Sequence, residues 1–512
     1  MQTLSPEQTL LRASVLLRGT RPSLEEYDRL DGGLEPLVDE FLESPEFGAV
    51  VRRMHGEWLL TDTFRDYYPM NFPAVGALAG EDLWALNTSV SEAPARLAER
   101  IVVEDRPYTE LVTADYTMAD RVVSTVWGLP YDAARGGWQQ TRFLDGRAGA
   151  GLLVDPWYFT RHASTDTNRQ HARAAHVARA LLCHDYMSRS VRVPADVDLT
   201  AGGANSLTEN AVCVSCHSTL DEFGAFFTNH VGVVFPEATV AYPVYQWPAA
   251  AGDYPPPAFS GTPGRGLADL GELIADDPRF ARCAIRRFYG QVMGLDEADV
   301  PDAVEDRYVA DFMGADFRVK RLLKRMVLSD EFAAVGDKDP ALEHVTGLRR
   351  LGPWHLARSV EDLTGYVWDT RLDVDYGIGV LGTVPLMDDI TWGFRELAGG
   401  ADGMFRFDPS RTATPTTLLV LRELAGLAAG HAVAQGLDGG LIRVGADADR
   451  SAVREQIAEL HLRLYGARVP ADDPAVDAVL AVFDAGGGTD DPDNAWTLVL
   501  FAMLQDPRIL FV

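Results

Sequence analysis

The chain has 512 residues, enough for several domains, and 47% of them are hydrophobic, so a sizeable core is available. Its formal net charge is −29, from 46 basic and 75 acidic residues, and lysine occurs only as Lys320, Lys324 and Lys338. Such a surface repels nucleic acid and anionic lipid, and suits solubility or docking to a basic partner. No apolar run reads as long enough to cross a bilayer. Trp496 to Leu504 is too short, and Leu418 to Leu421 ends at once in Arg422 and Glu423.

In chain order, residues 1–100 read as an N-terminal helical domain. The opening MQTLSPEQTL has neither the basic nor the apolar region of a leader, so the numbering is expected to start on a processed or trimmed chain. Apolar residues recurring at three and four predict helices over Leu34 to Leu42, Val319 to Leu328, Thr416 to Ala434 and Ala452 to Leu464. Residues 101–265 form a second module, 266–344 a third and 345–512 a fourth. The expected fold class is therefore mostly α, a multi-module protein with one irregular stretch. That stretch, about Ala201 to Gly266, is rich in Gly, Pro and aromatics; its strand-like run Val231 to Tyr245 reads as loop because of its prolines.

A weak repeat runs through the helical parts. Ser14 to Tyr27, Arg286 to Val300 and Leu462 to Val476 each pair an apolar helix with a Gly stop and a Pro, Ser or Asp start. Each is followed by a helix ending in a short acidic-aromatic turn, at Leu42, Leu328 and Leu504. The pattern predicts three helical hairpins that share a core.

Within the second module stands CVSCH: Cys213, Cys216 and His217. This is the spacing of covalent haem attachment, with two thioethers and an adjacent histidine for the proximal face of the iron. A zinc half-site or a redox thiol pair is the bland alternative, but zinc wants a second pair of ligands at motif spacing and Cys183 and Cys283 stand far apart. Those two cysteines can bridge in an oxidising compartment, or lie buried as free thiols. Leu220, Phe223, Phe226 and Phe227 follow the motif at helical spacing and would pack on the haem and exclude water. Arg161 and Arg169 could pair with the propionates. For the second axial ligand, His230, Met187 and Met293 are candidates.

The blocks LLRASVLLRGTRPSLEEYDRL, VDEFLESPEFGAVVRRMHGEWL, PYTELVTADYTMAD, HASTDTNRQHARAAHVARALLC, PRFARCAIRRFYGQVMG, GLRRLGPWHLARSVEDLTG, TPTTLLVLREL and AWTLVLFAMLQDPRILFV occur in that order. In this order the chain resembles the planctomycete-type cytochrome-domain proteins, also found in myxobacteria. The resemblance implies a mostly helical exported protein carrying haem c, in the periplasm or at the cell surface. Because His162 lies in one of these blocks, it becomes the leading distal ligand. The single CVSCH implies one haem per chain.

Three functions are open on this reading. The chain passes single electrons to a redox partner; or it is a haem-stapled assembly subunit of a surface complex; or an open haem acts on peroxide or oxygen. Assembly with itself or with another chain is compatible with each. G-x-S-x-G, H-E-x-x-H and Walker patterns are absent, and the acidic strings at Asp373 and Asp484 to Asn494 lack EF-hand spacing.

Overall fold

Side-chain caps and glycine stops cut this chain into helices. The computed structural model describes residues 2–62, 74, 76–162, 170–188, 198, 210–228, 233–234, 244–245, 254–336, 347–368, 371–375, 381–385, 395–401, 409–436, 440–444 and 448–512. The chain is mostly α, as expected.

Helix α1 (Pro6–Arg18) starts at Ser5, whose hydroxyl accepts from the Gln8 N–H while the Gln8 side chain accepts from the Ser5 N–H. It stops at Gly19, φ 74°, a left-handed residue packed beneath Trp354. The same reciprocal cap, Ser23 with Glu26, opens α2 (Leu24–Asp28). Ser44 closes α3 (Leu34–Glu43) and caps α4 (Pro45–Trp58). Then come α5 (Leu83–Val103), α6 (Glu110–Thr113), α7 (Arg121–Trp127), α8 (Pro156–Arg161), α9 (His171–Leu182), α10 (Ala211–Gly224), α11 (Leu267–Asp276), α12 (Pro278–Met293), α13 (Asp302–Gly314), α14 (Val319–Val327) and α15 (Asp330–Ala333). The last helices are α16 (Pro353–Thr364), α17 (Pro415–Ala434), α18 (Arg450–Tyr465), α19 (Pro474–Ala485) and α20 (Pro492–Leu504).

Among the described residues the strands are short. They are β1 (Gln2–Thr3), β2 (Thr117–Ala119), β3 (Gln139–Thr141), β4 (Val233–Val234), β5 (Val244–Tyr245), β6 (Ala258–Phe259), β7 (Thr262–Pro263), β8 (Ala334–Gly336), β9 (Arg371–Asp375) and β10 (Leu381–Pro385). They pair antiparallel two by two, β1 with β8 and the rest as neighbours in sequence. The run Val231 to Tyr245, expected as loop, supplies one such pair at its ends, Val233 opposite Tyr245.

The segments with the repeated pattern each hold a helix, a turn and further helices. α1, α12 and α18 end on left-handed glycines Gly19, Gly294 and Gly466. In the second segment the stop is Gly294 and not the Gly290 of RRFYG. Gly290 lies inside α12, where a Cβ would come within 2.9 Å of the Leu295 carbonyl as the chain turns back.

One buried cluster reaches from Leu10 to Val512, and a smaller one gathers Leu86, Val90, Val123 and Trp157 beside it. At the centre of the first, fully buried Arg12 of α1 donates to the carbonyls of Phe332, Gly347 and Val512. It ties the first helix to the middle and to the last residue. Helix α17 is, among the described residues, long and apolar enough by composition to cross a membrane, which the sequence reading did not expect. Its buried residues, Thr417, Val420, Leu421, Leu424, Ala425, Ala428 and Ala429, form one stripe, and Arg422 and Glu423 are exposed at mid-length. That is the pattern of a helix half-sunk in a protein body.

Candidate metal centre

The motif CVSCH lies in the first two turns of α10 and not in an irregular wrap. Asn210 caps this helix: its side-chain oxygen accepts from the Val212 N–H and its amide donates to the Asp198 carbonyl, 2.9 Å away. A spacing of four places Cys213, His217 and Asp221 above one another on one face. The stripe beside them is apolar and buried, with Leu220, Phe223, Phe226 and Phe227. Phe223 stands edge-on to Phe259 at 5.3 Å and lies 6.2 Å from Phe227. Expected to pack on a haem, these residues are buried in the main core cluster beside the motif.

Helix α9 brings the facing group. His171 is its first residue, held by buried Gln170, which takes a left-handed φ of 63° and accepts from Arg173 at 2.8 Å. The His171 Nε2 is hydrogen-bonded to Asp221 Oδ1, and both side chains are buried. Its ring centroid is 4.6 Å from that of His217. One donor atom from each of His171, His217 and Asp221 lies within 4.8 Å of the others. His217 Nδ1 is buried and meets no hydrogen-bond partner among the described residues.

The far end of α9 is covalently fixed. Cys183, left-handed at φ 49°, is bonded to Cys283 of α12, with the Cα atoms 5.2 Å apart. This decides the earlier alternative in favour of the bridge and leaves Cys213 as a free thiol. Arg287 of α12 donates to the Arg179 carbonyl near the end of α9 at 2.9 Å and pairs with Glu297 at 2.8 Å. The C-terminal end of the helix that carries His171 is therefore anchored twice.

Other expected site residues are placed elsewhere. His162 ends α8 and stacks on His176 of α9 with centroids 3.5 Å apart, beside Tyr158. Burial pushes the Tyr158 hydroxyl up, so it stays protonated. His176 is five residues after His171 and so faces another side of α9. Met293 is buried in α12, where its sulfur accepts from Arg349 at 2.9 Å. His230 and Arg169 lie outside the described residues, as do the side chains of Cys216, Met187 and Arg161.

Sequence reasoning missed His171 and Asp221. Asp221 had a signal, because it continues the spacing of four from Cys213 through His217. His171 stood in the same block as His162, but its meeting with His217 spans forty-six positions and depends on how α9 packs on α10. No family model, no curated protein and no solved structure matches this chain.

Proposed function

We propose that the chain holds one covalent haem c at CVSCH and passes single electrons outside the cytoplasm. The observation that carries this reading is the placement of Cys213 and His217 one turn apart on one face of α10, beside a buried apolar wall. The donor set fits. Cys213 is a free thiol, while the other two cysteines outside the motif are bonded to each other. Among the described residues the buried His217 Nδ1 meets no hydrogen-bond partner, and such an atom costs roughly 1–3 kcal/mol unless something else engages it.

Cys213 and Cys216 would each add their S–H across one vinyl group, sulfur to one carbon and hydrogen to the other. His217 would ligate the iron. Bound there, a haem supplies reversible one-electron chemistry. Phe223, Phe226 and Phe227 keep water from that side, and low polarity there favours the less charged redox state. The disulfide suits an oxidising compartment, the periplasm or the cell surface. The charge of −29 suits a basic redox partner.

A second reading rests on the three clustered donors. Two histidines and a carboxylate within 4.8 Å are also the set that holds a small divalent ion such as zinc or iron. The test is a reduced-minus-oxidised visible spectrum of full-length protein matured in a host that attaches haem, with and without carbon monoxide. Low-spin haem bands untouched by carbon monoxide are expected. Bands that shift with carbon monoxide point to an open haem and contradict electron transfer. Bare protein with one equivalent of zinc or iron supports the second reading.

A further inference from the structure

We infer that the outer face of α17 is an interface at which two copies of this chain pair about a two-fold axis running alongside the helix, whether or not haem is bound. One side of α17 is buried in the core and the other is open. Ten large hydrophobic side chains are exposed among the described residues, and five of them gather here. They are Leu418, Leu419 and Leu427 on α17, Leu498 on α20, which packs against it, and Leu397, whose carbonyl lies 3.5 Å from the Thr417 hydroxyl. Leu397, Leu419, Leu427 and Phe501 of α20 line one open groove. Exposed apolar side chains that cluster mark a contact surface, whereas scattered ones do not.

Charge decides what covers this face. Arg422 and Glu423 are exposed at its middle, and neither makes an ion pair among the described residues. As neighbours in sequence they stand about 100° apart around the helix, with Leu419 and Gly426 between them. When two such helices lie parallel about a two-fold axis, this seam meets its own copy and each flank meets the opposite flank. Arg422 then faces Glu423 of the second copy, and Glu423 faces its Arg422. An antiparallel pair sets Arg422 against Arg422, so the charges choose the parallel one. The two charges also cancel, so this face carries none of the net −29, and two acidic molecules can approach through it. At Gly426 a Cβ would meet only Phe501, at 3.7 Å, which leaves the outer side of the seam open to a partner. Lipid is a poorer cover, although α17 is apolar enough to meet it, because Arg422 and Glu423 would lose water without gaining a partner.

Sedimentation equilibrium of the full-length protein reads the pairing. Wild type is expected to form a dimer that dissociates on dilution. Arg422→Glu sets glutamate against glutamate at both contacts, and Glu423→Arg sets arginine against arginine. Each variant alone is expected to dimerise at least about tenfold more weakly. An equimolar mixture of the two restores opposite charges at both contacts and is expected to dimerise as well as wild type. Both positions are exposed, and rescue in the mixture shows that each variant is folded. Wild type that stays monomeric at about 100 µM would overturn the inference. So would a dimer that neither variant weakens, or a mixture that stays monomeric. Wild type that is monomeric in solution and binds phosphatidylcholine vesicles would assign the face to lipid and overturn it as well.

Discussion

Single residues in this chain show how burial decides protonation. His55 lies fully buried, hydrogen-bonded at Nδ1 to the Val51 carbonyl and at Nε2 to the Tyr108 hydroxyl; burial lowers its pKa to about 4. His355 is lowered to about 4 by burial as well. Their folded values lie below the unfolded 6.5, so between pH 6.5 and 4 the unfolded chain binds more protons, and stability falls as pH falls through that window. Each shift corresponds to about 3 kcal/mol. Asp155, which caps α8 through the Trp157 and Tyr158 N–H groups, is pushed up to about 7 by burial. Its sign is opposite: its contribution is fully present below the unfolded 3.8 and is lost as pH rises through 7. Asp155→Asn keeps a capping oxygen and removes the charge. The variant is expected to be more stable than wild type at pH 8 by about 2–4 kcal/mol, and to lose stability more steeply between pH 6.5 and 4. Urea unfolding across pH checks this; identical pH profiles for the two proteins would contradict it. None of this was visible in the sequence, where each residue is one His or Asp among many.

At the scale of elements, legibility followed periodicity. The helices over Leu34, Val319, Thr416 and Ala452 were readable because their apolar residues return every three or four positions and face the core. α10 was harder. Its first half, AVCVSCH, offers β-branched and small residues of modest helix propensity, and only the later Leu220 and Phe223 carry the period. Its cap, Asn210, and the tertiary packing on α9 make it helical. Gly290 shows the converse: it looks like a stop but is needed for close approach, and the helix runs on to Gly294. Helix α9 depends on its anchors, and Cys183→Ser is expected to lower stability by about 2–5 kcal/mol, since the bridge closes a separation of 100 residues. Urea midpoints under oxidising conditions check this, and an unchanged midpoint would show that the bridge adds nothing to folding.

Across the whole molecule, residues from all four expected modules belong to one buried cluster. Sequence pattern could list the helices but could not say which segments meet, because contacts such as Arg12 with Phe332 and Val512 join positions hundreds of residues apart. Arg12→Lys is expected to cost about 3–5 kcal/mol, because a single ammonium cannot replace a planar fork that reaches three carbonyls. An unfolding free energy within about 1 kcal/mol of wild type would contradict that role.

A haem fixed through Cys213 and Cys216 with His217 beside it leaves its mark on the intact mass of the denatured, full-length protein after maturation in a competent host. Wild-type protein is expected at the mass of the chain plus one haem, an addition lost when both cysteines are replaced by alanine. The mass of the bare chain from wild-type protein would contradict it.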